Sequence, residues 1–294
     1  MKALTRGLAL RVAVAATALV VGPAALAPGT AEAPTHTTRA AQLAGDGATA
    51  GQKFQWRFVQ WDYAWEFGES FDSAAYRGQS RRGGTWEEYT DGSGRVVKYG
   101  GGVEFHSGVI RNKLDAPDYG TSMLTLHGKG MQQGRWEIKE RADTPDDLSP
   151  GKDYRFIIEL VPEDGSDACA NNIRIAEVSP SNGTLTIGAK TSGGSWARTL
   201  TGYPQSTSNG YAYGLEITGK RITWFLNGQV IGSLGASAAR PTVPMTVRMR
   251  LVGADRNVEM NKSVVKIDWV RGYNLKNGKV APTTPAVRTG TYAC

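Results

Sequence analysis

At 294 residues, 40% of them apolar and 21% charged, the chain is long enough for one large domain and too apolar to be wholly disordered or collagen-like. Three histidines and two cysteines leave too few side chains for a zinc-type cluster. Lys and Arg number 34 against 27 Asp and Glu, a net charge of +7 that fits nucleic acid, an anionic polymer or no particular partner. No basic run exceeds Arg81-Arg82, so nucleic acid is not an expected partner.

In chain order, residues 1–33 read as a secretory signal. Lys2, Arg6 and Arg11 form a positive start, Val12 to Ala27 an apolar stretch, and Ala31-Glu32-Ala33 a small-x-small cleavage pattern. Gly22-Pro23 interrupts the apolar run, and no later segment is apolar enough to cross a bilayer. The expectation is a secreted, extracellular protein with no membrane partner. In an oxidising compartment Cys169 and Cys294 would bridge the middle of the domain to the last residue; the alternative is two unpaired thiols.

Residues 34–53 are rich in Ala, Thr and Gly and predict a flexible leader. Short β-type runs follow from Phe54 onward, divided by Gly, Asn, Asp and Pro. They include Arg95 to Tyr99, Val103 to His106, Ser122 to Leu126, Gly134 to Lys139, Tyr154 to Val161, Ile173 to Val178 and Leu185 to Ile187. Later runs are Tyr213 to Ile217, Arg221 to Leu226, Gln229 to Ile231, Met245 to Leu251 and Val264 to Tyr273. Asn227-Gly228 between two apolar runs is the strongest hairpin signal. No helical periodicity and no internal repeat compete with this pattern. It predicts one all-β sandwich or barrel over residues 54–276, with 277–294 as an extended, Pro- and Thr-rich tail.

Four stretches carry a family resemblance. They are Gln133 to Lys139 (QGRWEIK), Asn172 to Val178 (NIRIAEV), Tyr211 to Leu234 with its YGLEI and RITWFLNG segments, and Lys266 to Tyr273 (KIDWVRGY). In order and spacing the chain resembles glycoside hydrolase family 16, the laminarinase and lichenase type, over roughly residues 54–276. The resemblance implies a jelly-roll β-sandwich of two curved antiparallel sheets with a polysaccharide in the concave face. It also implies a monomer that needs no cofactor.

The second stretch falls where the family keeps its catalytic strand. Retaining hydrolysis needs two carboxyl groups about 5–5.5 Å apart, one a nucleophile and one an acid/base. Alternation would bury Ile173 and Ile175 and turn Asn172 and Arg174 to the cleft. An extra residue allows a bulge that returns Glu177 to that face. Glu177 matches the acid/base position, but Asn172 stands at the nucleophile and Arg174 at the middle Asp. An amide is no carboxylate nucleophile, and a neighbouring guanidinium tunes Glu177 away from acid work. Amide and guanidinium groups do hydrogen-bond sugar hydroxyls.

Tyr154 to Pro162 resembles the preceding family strand, with Glu159 where a cleft Trp is usual. Glu159 is then either a displaced catalytic partner of Glu177 or a salt-bridge partner of Arg174. Trp196, in a Gly-rich loop, and Trp86 are candidate platforms for a sugar ring, or caps on the sandwich edge. Trp136, Trp224 and Trp269 read as core. Asp268 matches a position that in some family members helps to hold a structural calcium; the alternative is a surface Asp. The sequence therefore supports an enzyme on a β-linked polysaccharide or a lectin-like module on the same fold. A secreted protein that uses the sandwich for protein contacts and a sandwich-fold polysaccharide lyase are further readings.

Overall fold

Runs of β-branched and aromatic residues between tight turns can bury one face only by pairing, and the chain pairs them into two sheets. The computed structural model describes residues 49–56, 59–64, 84–99, 102–107, 120–143, 154–179, 183–203, 210–253, 263–276, 278–283 and 285–291. The chain divides into two units, residues 1–33 and 34–294. The first unit, read above as a signal, lies outside the described residues, as do Trp65, Arg81, Arg82 and Cys294. No helix among the described residues is long and apolar enough to cross a membrane.

The first sheet contains β1 (Val59–Ala64), β3 (Arg95–Tyr99), β4 (Gly102–Ser107), β6 (Gly134–Asp143), β11 (Tyr211–Ile217), β12 (Ile222–Leu226), β13 (Gln229–Leu234) and β15 (Ser263–Tyr273). Its order is β13-β12-β11-β6-β15-β4-β3, with β1 also on β15. The second contains β2 (Thr85–Gly92), β5 (Gly120–His127), β7 (Tyr154–Pro162), β8 (Asn172–Ser179), β9 (Thr184–Thr191), β10 (Gly194–Leu200), β14 (Met245–Gly253) and β16 (Arg288–Thr289). Its order is β16-β10-β9-β8-β7-β14-β5-β2. Every ladder between these strands is antiparallel. The expected all-β jelly-roll sandwich is therefore the observed fold.

The core lies between the sheets. It takes Trp136, Ile138, Tyr213, Leu215 and Trp224 from one side and Phe156, Ile158, Ile173, Val247 and Met249 from the other. Phe105 meets Phe156 across the gap with ring centroids 5.3 Å apart. The Asn227-Gly228 hairpin forms as the sequence predicts, with φ of 46° and 69°, the double positive turn that matches strand twist. Gly272 is required for a different reason. A Cβ there would sit 2.2 Å from the buried Trp61 ring.

Both ends of the domain depart from the sequence reading. The leader expected over 34–53 ends in a helix, α1 (Ala50–Lys53), closed by a Thr49–Gln52 capping box. Ala50, Phe54 and Trp56 pack with Phe225, Tyr273 and Ala281 in a second cluster on the outer side of the first sheet. The tail expected to be extended buries Ala281 and Val287, and its β16 pairs with β10. Local composition shows neither docking, because partners such as Phe225 for Phe54 and β10 for β16 lie far away along the chain. The first sheet's outer face is thus partly covered by the two ends of the domain.

Candidate functional site

The outer face of the second sheet carries the candidate site. Alternation on β7 turns Phe156, Ile158 and Leu160 into the core and Arg155, Ile157, Glu159 and Val161 outward. On β14 the inward set is Met245, Val247, Met249 and Leu251, so Thr246, Arg248 and Arg250 face out. On β8 the register slips between Arg174 and Glu177. Ile175 and Ala176 both enter the core at this bulge, and Glu177 emerges on the face that carries Arg174.

The bulge is held from the opposite sheet. Trp224 donates its indole Nε1 proton to the Arg174 carbonyl at 2.8 Å across the buried interface. Trp224→Phe keeps most of the packing and removes this donor. The expected loss is about 2 kcal/mol of unfolding free energy in urea titration, the cost of a buried acceptor left without its partner.

Glu159 lies at the centre of the face with no exposed surface. Its Oε1 accepts from Arg248 Nε at 2.7 Å and from Arg250 Nε at 2.8 Å. Its Oε2 accepts from Asn172 Nδ2 at 2.8 Å. Burial by itself would push this carboxyl up. The Arg250 and Arg248 guanidiniums and the Asn172 amide together outweigh burial and hold it below its ordinary value. Glu177 is engaged on both oxygens, by Arg155 Nη1 at 3.1 Å and by Arg174 Nη1. Lys190, opposite Asn172 on β9, reaches Cys169 Sγ at 3.2 Å.

These contacts rearrange the expected pairs. Glu159 is held by Arg248 and Arg250, and Arg174 turns to Glu177, so the expected Glu159–Arg174 bridge is replaced by two separate clusters. Cross-strand register explains it. Arg248 and Arg174 flank Glu159 on either side, but the bulge swings Glu177 within reach of Arg174. Sequence reasoning missed Arg155, Arg248 and Arg250. The alternation of Arg248 and Arg250 with Val247, Met249 and Leu251 was the available signal.

The two proposed sugar platforms do not lie on this face. Trp86, 7% exposed, points inward from β2, and Trp196 packs against the core from β10. The Gly-rich stretch before Trp196 is a hairpin turn followed by a strand, and strand alternation aims Trp196 beside Ala189, inside the sandwich. Tyr89, which the sequence reading passed over, is the exposed aromatic on β2. Of the tryptophans read as core, Trp136 and Trp224 are buried, whereas Trp269 lies under the Arg271 guanidinium at 4.1 Å.

Asp268 sits in the first sheet at an irregularity between Ile267 and Trp269, and its Oδ1 accepts from Arg141 Nη2 at 3.0 Å. Among the described residues no group of three His, Cys, Asp or Glu side chains converges. The Arg141 guanidinium thus takes one oxygen of the Asp268 carboxylate. Among the described residues no cysteine is free. Cys294, the partner expected for Cys169, lies outside them. A cavity of about 700 Å³ elsewhere, beside Arg135, Glu216 and Leu275, contains a closed ion pair, Arg135 Nε to Glu216 at 2.7 Å.

No protein-family model matches the chain and no curated protein matches it. Solved structures do. The catalytic domain of an endo-1,3-β-glucanase (laminarinase) from Thermotoga petrophila RKU-1 is 15% identical, with a TM-score of 0.53 over 76% of this chain and 100% of that one. The laminarinase catalytic domain from Thermotoga maritima MSB8 gives 15% and 0.53, over 76% of this chain and 99% of its own. A structure from the endo-acting O-glycanases with which human gut microbiota initiate mucin breakdown gives 15% and 0.53, over 74% and 100%. At this identity the likeness defines the fold, and the chain is a jelly-roll sandwich of the laminarinase type.

Proposed function

We propose that the protein is exported and binds a β-linked polysaccharide on the outer face of the second sheet, without hydrolysing it by double displacement. Export would let Cys169 and Cys294 form the bridge expected from the sequence. The observation that carries the reading is the state of the two carboxylates. Glu159 is bound by two guanidiniums and an amide, Glu177 by two guanidiniums, and the nucleophile position of the resembled family holds Asn172. A retaining site needs one free nucleophile and one carboxyl that can give up a proton. Here Glu159, the carboxylate across from Arg174 on β7, is kept ionised and spent on its arginines. The fold supports a carbohydrate ligand through its likeness to laminarinases.

The test is a panel of β-glucans, galactans and acidic polysaccharides offered to the wild type and to Glu177→Gln. Retention on at least one polymer with no reducing ends released by either protein is expected. Release by the wild type that Glu177→Gln abolishes would replace this reading with an active hydrolase, with Glu159 the next residue to change.

A further inference from the structure

The four central strands of the candidate face, β9, β8, β7 and β14, present five cations, Arg155, Arg174, Lys190, Arg248 and Arg250, against two carboxylates, Glu159 and Glu177. The surplus is not spread evenly. Arg248 and Arg250 both reach Glu159 through Nε, the inner nitrogen of the guanidinium. Neither makes another ion pair or hydrogen bond among the described residues, so the Nη edges of both remain open. Both side chains keep water access, at 19% and 17% exposure.

Such an arrangement costs stability if it serves folding alone. A carboxylate taken wholly out of water costs several kcal/mol before its partners offset it, and apolar residues would fill the same place as well or better. The buried Glu159 does, however, fix the direction of two guanidiniums that would otherwise sample many rotamers. Two residues apart on one strand, they stand side by side on one face. Ordered forks of this kind match the planar oxygens of a carboxylate or the oxygens of a sulfate. Arg155, 40% exposed, adds a third guanidinium beside them. For stacking on a neutral sugar the sheet offers Tyr89 on its edge strand β2, whereas Trp86 and Trp196 both point into the core.

We infer that the ligand of this face is an acidic polysaccharide, whose carboxylate or sulfate groups are bound by the Nη edges of Arg248 and Arg250. This rests on the reading of the face as a glycan site and gives that ligand its chemistry. Glu159 acts here as a positioning residue that aligns the two arginines.

The experiment measures affinity of the whole protein for polygalacturonate, dextran sulfate, neutral laminarin and polyphosphate, with salt varied. The informative variant is the double substitution Arg248→Lys/Arg250→Lys. It keeps two positive charges against Glu159, so the fold is retained, and it removes both forks. A second variant, Arg155→Gln, leaves Arg174 on Glu177. The expected result is binding to polygalacturonate, dextran sulfate or both, at least tenfold tighter than to laminarin and weakening with salt. The double variant should lose about tenfold or more, and Arg155→Gln a smaller factor. Binding to one acidic polymer alone supports the inference and names the group, carboxylate or sulfate. Laminarin bound as well as the acidic polymers, with no effect of either variant, overturns the inference and leaves the glycan reading intact. Polyphosphate bound as tightly as the polysaccharides overturns it in favour of general anion attraction. No binding to any polysaccharide overturns both readings.

Discussion

Glu159→Gln is expected to lower the unfolding free energy by about 3 kcal/mol at neutral pH, measured by urea titration. The glutamine has nearly the same shape, so the loss is electrostatic. It removes the only carboxylate bound to Arg248 and Arg250 among the described residues and replaces an acceptor of the Asn172 amide. Breaking a buried pair by removing one partner costs about 3–5 kcal/mol. The low end applies because both guanidiniums can recruit water to their open edges. The effect also carries a pH signature. The folded-state value of Glu159 lies below its ordinary 4.5, so its contribution is fully present above that value. It is lost as the pH falls through the lower folded value. Wild type and variant therefore converge in acid. A gap that persists unchanged at low pH would mean that packing, not charge, holds Glu159 in place.

Glu140→Gln is expected to act in the opposite sense. Glu140 sits on β6 between the sheets, level with Tyr211 and Ile267, and is fully buried. Burial pushes its carboxyl up to about 8, although the Tyr213 hydroxyl and Lys139 pull it down; Asp268 adds to the rise. Glu137, beneath the first turn of α1, is pushed by burial up to about 7, although the amides of Gly51 and Ala50 and the Arg271 charge oppose the shift. Both groups hold protons in the folded state at pH values where an unfolded chain releases them. Stability therefore falls as the pH rises from about 4.5 through 7 to 8. Glutamine at 140 cannot ionise. At pH 5 the variant and wild type should differ little, and above pH 8 the variant should be more stable by on the order of 4 kcal/mol. Thermal unfolding across pH 5–9 reads this directly. Parallel curves for the two proteins would show that Glu140 does not titrate with folding.

These expectations agree on one working range. Acid removes the charge that orders Arg248 and Arg250, and alkaline pH ionises Glu140 and Glu137 in the interior. Stability should be greatest near pH 4.5, above the folded value of Glu159 and below the range in which Glu137 and Glu140 ionise, with Arg248 and Arg250 ordered there.

The sequence by itself determined the strands and their faces. A run such as Met245 to Leu251 buries every second residue wherever it lies, so Arg248 and Arg250 had to share the face away from the core. The same logic, with one extra residue, placed Glu177 beside Arg174. It determined the Asn227-Gly228 hairpin too, because the turn is encoded by two adjacent residues. Edge strands were harder to read. Thr85 to Gly92 has one buried side chain, so alternation carries almost no apolar signal there and does not mark Trp86 as inward-facing.

Only the tertiary structure decided which strands are neighbours. Glu159 finds its two arginines 89 and 91 residues away, because β14 lies on one side of β7 and β8 on the other. Period-2 patterning names the face of a side chain and is silent about the strand beside it. The partner of a charge is set by strand order, which follows from how the two sheets bury their apolar faces against each other. The same reason governs both ends of the domain. Phe54 and Ala281 are unremarkable in sequence and buried in the fold, because the first sheet's outer face offers Phe225 and Tyr273 to cover.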